Sequence, residues 1–271
     1  LTHVQLTLRN PPAVLLEAPA VRPDAFATLT EAEIAGLPVW HGREERRLGD
    51  FFAVSGGRSE EVRVSGDLTH VTELGAAMAG GRLVIEGHGG RHTAARMQDG
   101  DVVIEGNAGD GTAAEMRGGV VVVRGSAGAR LGSACAGSLR GMRGGVILVH
   151  GSAGDDLGDR QRRGVIAVAG SVGARAGRGM IAGTLFVGGS LGRLPGFGMK
   201  RGTIVAGGAL EPLPTFRYAC TYRPAFLSLL FRSLEARGFP VGAHLHSGAF
   251  RRFGGDFADR GRGEILQWTD R

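Results

Sequence analysis

The sequence predicts an all-β chain built as a right-handed parallel β-helix. Three observations carry that expectation. Short apolar runs open at Gly81, Gly100, Gly119, Gly145, Gly164, Gly183 and Gly202, 19 residues apart except for one 26-residue step. Within each run the second and fourth residues after the glycine are apolar without exception. A G-x-x-G pair follows the run in six of the seven turns, from Gly87/Gly90 to Gly189/Gly192. A fixed period of this size marks a solenoid, in which a unit buries its apolar side only by stacking on its neighbours.

The runs read as strands because they are β-branched, short and bounded by glycine. Leu83, Val102, Val121, Ile147, Ile166, Leu185 and Ile204 form one column, and Ile85, Ile104, Val123, Val149, Val168, Val187 and Ala206 another. Residues two apart share one side of a strand, so both columns are expected to face the interior. With no helix between strands, successive turns must lie parallel. Seven coils at ~4.8 Å each give a rod of roughly 30 Å. A left-handed hexapeptide helix is disfavoured, because 19 is not a multiple of six. The G-x-x-G pairs are assigned to corners at which glycine supplies a positive φ.

All six methionines, Met78, Met97, Met116, Met142, Met180 and Met199, lie three residues before an opening glycine, and Gln161 replaces methionine in the remaining turn. A flexible thioether suits an irregular interior. A methionine stripe that binds metal or an apolar ligand is the competing reading.

Two columns point outward. Val84, Val103, Val122, Leu148, Ala167, Phe186 and Val205 occupy the third position, so the outer side of the strands is as apolar as the inner. A bare strip of this kind is an association surface, covered by the chain's own terminal segments or by another subunit. Val84, Val103, Val122, Leu148 and Phe186 are therefore candidate partner contacts. Arg117, Arg143, Arg162 and Lys200 share the position two before the glycine, with Arg163 and Arg201 beside two of them. Stacked cations need solvent or an anionic partner, such as an acidic carrier or an acidic subunit. The long step holds seven additional residues, Cys135–Gly141, a corner loop that is neutral or a docking element.

Outside the array, residues 1–58 read as an entry and cap, 59–210 as the coils, and 211–271 as an extension that packs on the coils or on a partner. Val4–Leu8 alternates as an edge strand, and Asp24–Ala35 carries helical spacing stopped by Gly36 and Pro38. Pro224–Gly238 is a helix whose apolar face, Phe226 to Leu234, is too broad for an isolated surface helix. Gly263–Leu266 is a final short strand.

Bulk properties narrow the function classes. Two cysteines, Cys135 and Cys220, without a CxxC pair argue against zinc ribbons and iron-sulfur clusters. The net charge of +6 comes almost wholly from arginine, Lys200 being the only lysine, and this invites an acidic partner. No stretch is apolar enough for a membrane helix, and Leu1–Asn10 lacks a signal-peptide pattern, so a cytoplasmic location without membrane or nucleic-acid partners is expected. His88 with His92 and His244 with His246 lack the further ligands a metal site requires. Ser126, Ser152, Ser171 and Ser190 recur at one corner as turn residues. Glu86 and Glu105 stack, but aromatic residues at 6% are too scarce for a sugar groove. No nucleophile, base and oxyanion site assembles, so no catalytic or metal-binding residue is assigned.

The coil corners, the entry Leu48-Gly49-Asp50-Phe51-Phe52 and the ending FRRFGGDF to GRGEIL at Phe250–Leu266 together resemble the C subunit of formylmethanofuran dehydrogenase over nearly the whole chain. The coil motif alone is shared with the carboxy-terminal domain of the glutamate synthase large subunit, and the two ends make the narrower assignment. The resemblance implies a non-catalytic β-helix bound to subunits that do the chemistry. In archaeal complexes this is carbon dioxide reduction onto methanofuran, with tungsten or molybdenum pterin and iron-sulfur subunits. In the bacterial formyltransferase/hydrolase complex a formyl group from a tetrahydromethanopterin cofactor passes to a methanofuran-like carrier and leaves as formate. An arginine- and alanine-rich composition with one lysine favours the bacterial form. The resemblance implies no cofactor on this chain and a metal in a partner subunit. Methanofuran-type carriers bear glutamate-rich tails, so on charge grounds the arginine edge is expected to attract such a tail or to line an acidic subunit surface. A glutamate synthase-like assembly domain is the remaining alternative.

Overall fold

A computed structural model describes residues 3–270; Leu1, Thr2 and Arg271, which the expected entry and extension regions include, lie outside the described residues. The chain is mostly β, with a 13-stranded, mainly parallel open sheet and a separate sheet of four short strands. Its backbone is set by the repeat. Arg82–Glu86, Asp101–Ile104, Val120–Val123, Val146–Val149, Val165–Val168, Thr184–Val187 and Arg201–Ala206 pair in parallel. The register joins Leu83, Val102, Val121, Ile147, Ile166, Leu185 and Ile204 in one row. Because Val121 still opposes Ile147, the insertion at Cys135–Gly141 leaves the ladder intact. A second parallel row runs through Gly89, Ala108, Ala127, Ala153, Val172 and Leu191.

Both inward columns are fully buried, as are all six methionines and Gln161. The Gln161 amide nitrogen donates to the carbonyl oxygens of Gly164 at 3.0 Å and Arg163 at 3.2 Å. Its Oε1 is buried without a hydrogen-bond partner.

The glycines divide their work differently from the expectation. The opening glycines carry positive φ, such as Gly100 at 98° and Gly164 at 87°, whereas among the G-x-x-G pairs only Gly87, at 140°, does so, and Gly109 and Gly128 do not. Those pairs are required by close approach. A methyl group on Gly109 would stand 2.7 Å from the carbonyl carbon of Gly90 in the preceding repeat, inside any real contact distance.

The entry strand Val4–Leu8 buries alternate residues and lies parallel to Glu61–Ser65 and antiparallel to Phe52–Ser55. The single helix expected over Asp24–Ala35 is instead two, Pro23–Phe26 and Glu31–Ala35. Thr30 restarts the helix with a capping box: its side chain accepts the Glu33 N–H, and the Glu33 carboxylate accepts the Thr30 N–H at 2.8 Å. An extended Thr30 stops the first helix running into the second.

At the far end the expected helix forms as Ala225–Glu235 and the expected strand as Arg262–Thr269, which stacks parallel on Arg201–Ala206. Ala249–Gly255 pairs antiparallel with that strand, and Arg217–Tyr222 pairs antiparallel with Ala249–Gly255. Among the described residues no helix is long and apolar enough to cross a membrane.

Candidate functional site

The arginine column is positioned by backbone bonds recurring from one sequence repeat to the next. At four turns the basic residue two before the opening glycine donates its N–H to the carbonyl of the methionine one repeat earlier: Arg117 to Met97 at 2.8 Å, Arg143 to Met116 at 2.7 Å, Arg162 to Met142 at 2.8 Å, Lys200 to Met180 at 2.7 Å. The outward side chains therefore rise in one row. Arg143, Arg162, Arg163 and Arg201 line a cavity of about 400 Å³, floored by Ile181 and Ala182. The Nε atoms of Arg143 and Arg162 are buried without a hydrogen-bond partner. Among the described residues no carboxylate stands within 4.0 Å of these four guanidinium groups.

Lys200 departs from the column's behaviour, since its Nζ lies 3.6 Å from Asp259 Oδ2. Arg117 is exposed and outside the cavity. Of the six basic candidates, four converge. Two like charges on adjacent repeats repel by about 1 kcal/mol in water, and more where a cavity limits screening. Backbone bonds hold the attachment points of this row close together, and an anion is the natural complement of the charges gathered at the cavity.

The apolar strip is divided. Leu148 and Phe186 are fully buried beneath the chain's own C-terminal segment, in a cluster with Leu227, Phe231, Leu234 and Phe239. These two candidates are closed to a partner, because the helix Ala225–Glu235 uses their surface to bury its own apolar face. Val84 is also buried, whereas Val103 and Val122 are half-buried. The accessible remainder of the strip is thus Val103 and part of Val122, which packs against the edge of the C-terminal cluster.

The other polar columns are used structurally. Nδ1 of His88 accepts the N–H of Asn107 at 2.9 Å, Oδ1 of Asn107 accepts that of Ser126 at 2.8 Å, and Ser126 Oγ accepts that of Ser152 at 3.1 Å. Ser152 and Ser171 repeat the bond to Ser171 and Ser190. These hydroxyl groups lock successive corners together. His246 bonds Glu235 at 2.9 Å and meets the Phe231 ring, while the His244 ring packs on Trp268, so the two histidines face different neighbours.

Ionisable groups with displaced equilibria also sit in structural settings. Burial, and secondarily Arg124, lowers the pKa of His150. The hydrogen bond from Arg175 holds the Asp156 carboxyl below its ordinary value. Burial, followed by the charge of Glu115, raises the Cys135 thiol.

The strand Arg217–Tyr222, with Arg251 stacked over the rings of Tyr218 and Phe253 at 5.9 Å and 5.2 Å, is absent from the sequence expectations. The aromatic and β-branched content of this run, between Pro214 and Pro224, was the available signal.

A repetitive β architecture whose polar ladders are committed to structure, with four arginines that meet no carboxylate among the described residues, fits the class of structural subunits. The chain belongs to the family of formylmethanofuran dehydrogenase C subunits. It superimposes with a TM-score of 0.91 and 36% identity, over 97% of its length and 98% of the other chain, on a chain of the X-ray structure of the formyltransferase/hydrolase complex (FhcABCD) from Methylorubrum extorquens in complex with methylofuran. The C subunit of the tungsten-containing formylmethanofuran dehydrogenase 2 of Methanothermobacter wolfeii is 33% identical over 93 residues, 32% of this chain and 34% of that protein. The C subunit of the molybdenum-containing formylmethanofuran dehydrogenase 1 of Methanosarcina barkeri is 35% identical over 84 residues, 29% of this chain and 28% of that protein. The match therefore spans about a third of the length of these curated relatives. No family model matches the chain.

Proposed function

We propose that this chain is a non-catalytic structural subunit that scaffolds a cytoplasmic formyltransferase/hydrolase complex. That complex would pass a formyl group from a tetrahydromethanopterin cofactor to a methanofuran-like carrier and release formate, with its metal in a partner subunit. The observation that carries this reading is the near full-length likeness to a chain of the methylofuran-bound complex. The right-handed parallel β-helix is the architecture we assign to residues 59–210, capped by residues 1–58 and extended by 211–271. Two in-register parallel ladders separated by fixed turns support it.

The cavity lined by Arg143, Arg162, Arg163 and Arg201 is proposed to hold the acidic tail of the carrier or an acidic subunit surface, with Arg117 and Lys200 extending its field. Val103 and Val122 are proposed as apolar partner contacts, with Val84 at the covered margin. A dehydrogenase complex that reduces carbon dioxide is the second reading, favoured by the tungsten- and molybdenum-containing relatives. Co-expression with candidate partner subunits separates the two. The first reading expects a stable assembly that releases formate from formyl-tetrahydromethanopterin and contains neither tungsten nor molybdenum. Tungsten or molybdenum in a carbon dioxide-reducing assembly supports the second. If no assembly forms, both readings fail.

A further inference from the structure

The strand Arg217–Tyr222 ends the large sheet, beyond Ala249–Gly255. It is hydrogen-bonded on one side only, and all six of its residues are exposed. Half of its backbone donors and acceptors therefore face outward, a ready template for one more strand. The register shift between Tyr218 and Cys220 twists its first half, and Cys220–Tyr222 resumes regular pairing.

The surroundings specify what would add there. Arg217 and Arg223 bracket the strand, and Arg251 lies on the neighbouring one. None of the three has a carboxylate within 4.0 Å among the described residues, whereas Arg252 is satisfied by Glu264 at 2.8 Å. Arg217 lies 5.6 Å above the Phe257 ring, and Arg251 packs on Tyr218 and Phe253, so two of these cations are held in place on aromatic rings. Tyr218 at 55% and Phe257 at 56% exposure offer apolar contact, and Phe226 and Leu229 continue it on the following helix at 43% and 69%. A second copy of this chain fits poorly, because pairing two such strands would bring both sets of arginines together.

We propose that the edge Arg217–Tyr222 receives an extended acidic segment of a partner subunit, which adds a strand to the sheet. Main-chain bonds would supply affinity, and the arginines would select an acidic sequence. The inference rests on the subunit role argued above. It concerns a surface separate from the arginine cavity, since no residue of this edge lines that cavity. Single-stranded nucleic acid could stack on Tyr218 and Phe257, yet it would leave the outward backbone groups unsatisfied, which favours a peptide.

The test compares hydrogen exchange in the isolated chain and in its co-purified assembly, together with the double variant Arg217→Glu/Arg251→Glu. Peptides covering Arg217–Tyr222 should exchange at least about tenfold more slowly in the assembly. The variant should bind its partners about tenfold or more weakly while its thermal midpoint stays unchanged. An intact assembly in which this segment exchanges as fast as in the isolated chain overturns the proposal and leaves the subunit role standing. Failure of the wild-type chain to assemble removes both. Protection of the segment in a dimer of the isolated chain assigns the edge to a second copy, and protection by an oligothymidylate probe assigns it to nucleic acid. Either result also overturns the proposal.

Discussion

The ring of Phe186 meets the ring of Phe231 edge-on, with centroids 5.5 Å apart and planes at 64°. Phe186 belongs to the outer face of a repeat strand and Phe231 to the C-terminal helix, so this contact joins the periodic part of the chain to its single-copy extension. Both rings are essentially inaccessible to solvent. Edge-to-face pairs add about 0.5–1.5 kcal/mol to the gain from area burial.

Replacing Phe231 with alanine should cost about 3–5 kcal/mol, the usual penalty for emptying a buried aromatic site. Urea unfolding of the isolated chain measures this. A loss below about 1 kcal/mol would mean that the helix leans only weakly on the strip, contrary to its burial.

Neutralising the row with Arg143→Gln/Arg162→Gln should relieve repulsion, so stability should stay within about 1 kcal/mol of wild type or rise. Affinity for a polyglutamate peptide should fall roughly tenfold or more, and its salt dependence should weaken because fewer screened charges take part. Titration calorimetry at two ionic strengths reads both effects. Unchanged, salt-insensitive binding would sink the carrier-tail role of the cavity.

Gln161→Met should stabilise the chain by about 1 kcal/mol, because it removes the buried, unpartnered Oε1 and restores the side chain used by six other coils. Thermal unfolding checks the sign. A loss of stability would show that the bonds of Gln161 to Gly164 and Arg163 outweigh the unsatisfied oxygen.

Two groups give opposite ends of the pH dependence the same slope. His150 has a depressed pKa in the folded chain, so the unfolded state binds its proton first and stability falls as pH drops below the ordinary histidine value of about 6.5. Asp156 is also depressed, so its contribution is present above the ordinary carboxyl value and is lost as pH falls through the folded one. His150→Gln should flatten the decline between about pH 7 and 5, and Asp156→Asn should flatten only the acid end. Unfolding midpoints across pH separate them.

Val103→Asp should weaken assembly with partner subunits while leaving the isolated chain folded, since Val103 is half-buried on the uncovered part of the strip. Size-exclusion chromatography of the co-expressed subunits reads the result. An intact complex would remove this position from the interface.

The repeat strands, their register and the buried columns were legible from residue order, because each instruction is local and is written seven times. Met78 to Met199 could be placed inside from the sequence, since a side chain recurring once per repeat occupies one fixed place relative to the paired strands. Chemistry shared between columns was also legible: the serine corner and the arginine row follow from position in the period. What has no period was settled in three dimensions. Folding placed Phe231 on Phe186, closed half of the apolar strip, drew Arg201 into the cavity while Asp259 engaged Lys200, and left Arg217–Tyr222 as an open edge. It also gave Gly109 a different role from the expected one, since its necessity lies in the close approach of Gly90 in the neighbouring repeat instead of in its own φ. Each of these contacts joins segments met once and far apart in the chain, where no local preference records the partner and only packing and charge between distant segments select it.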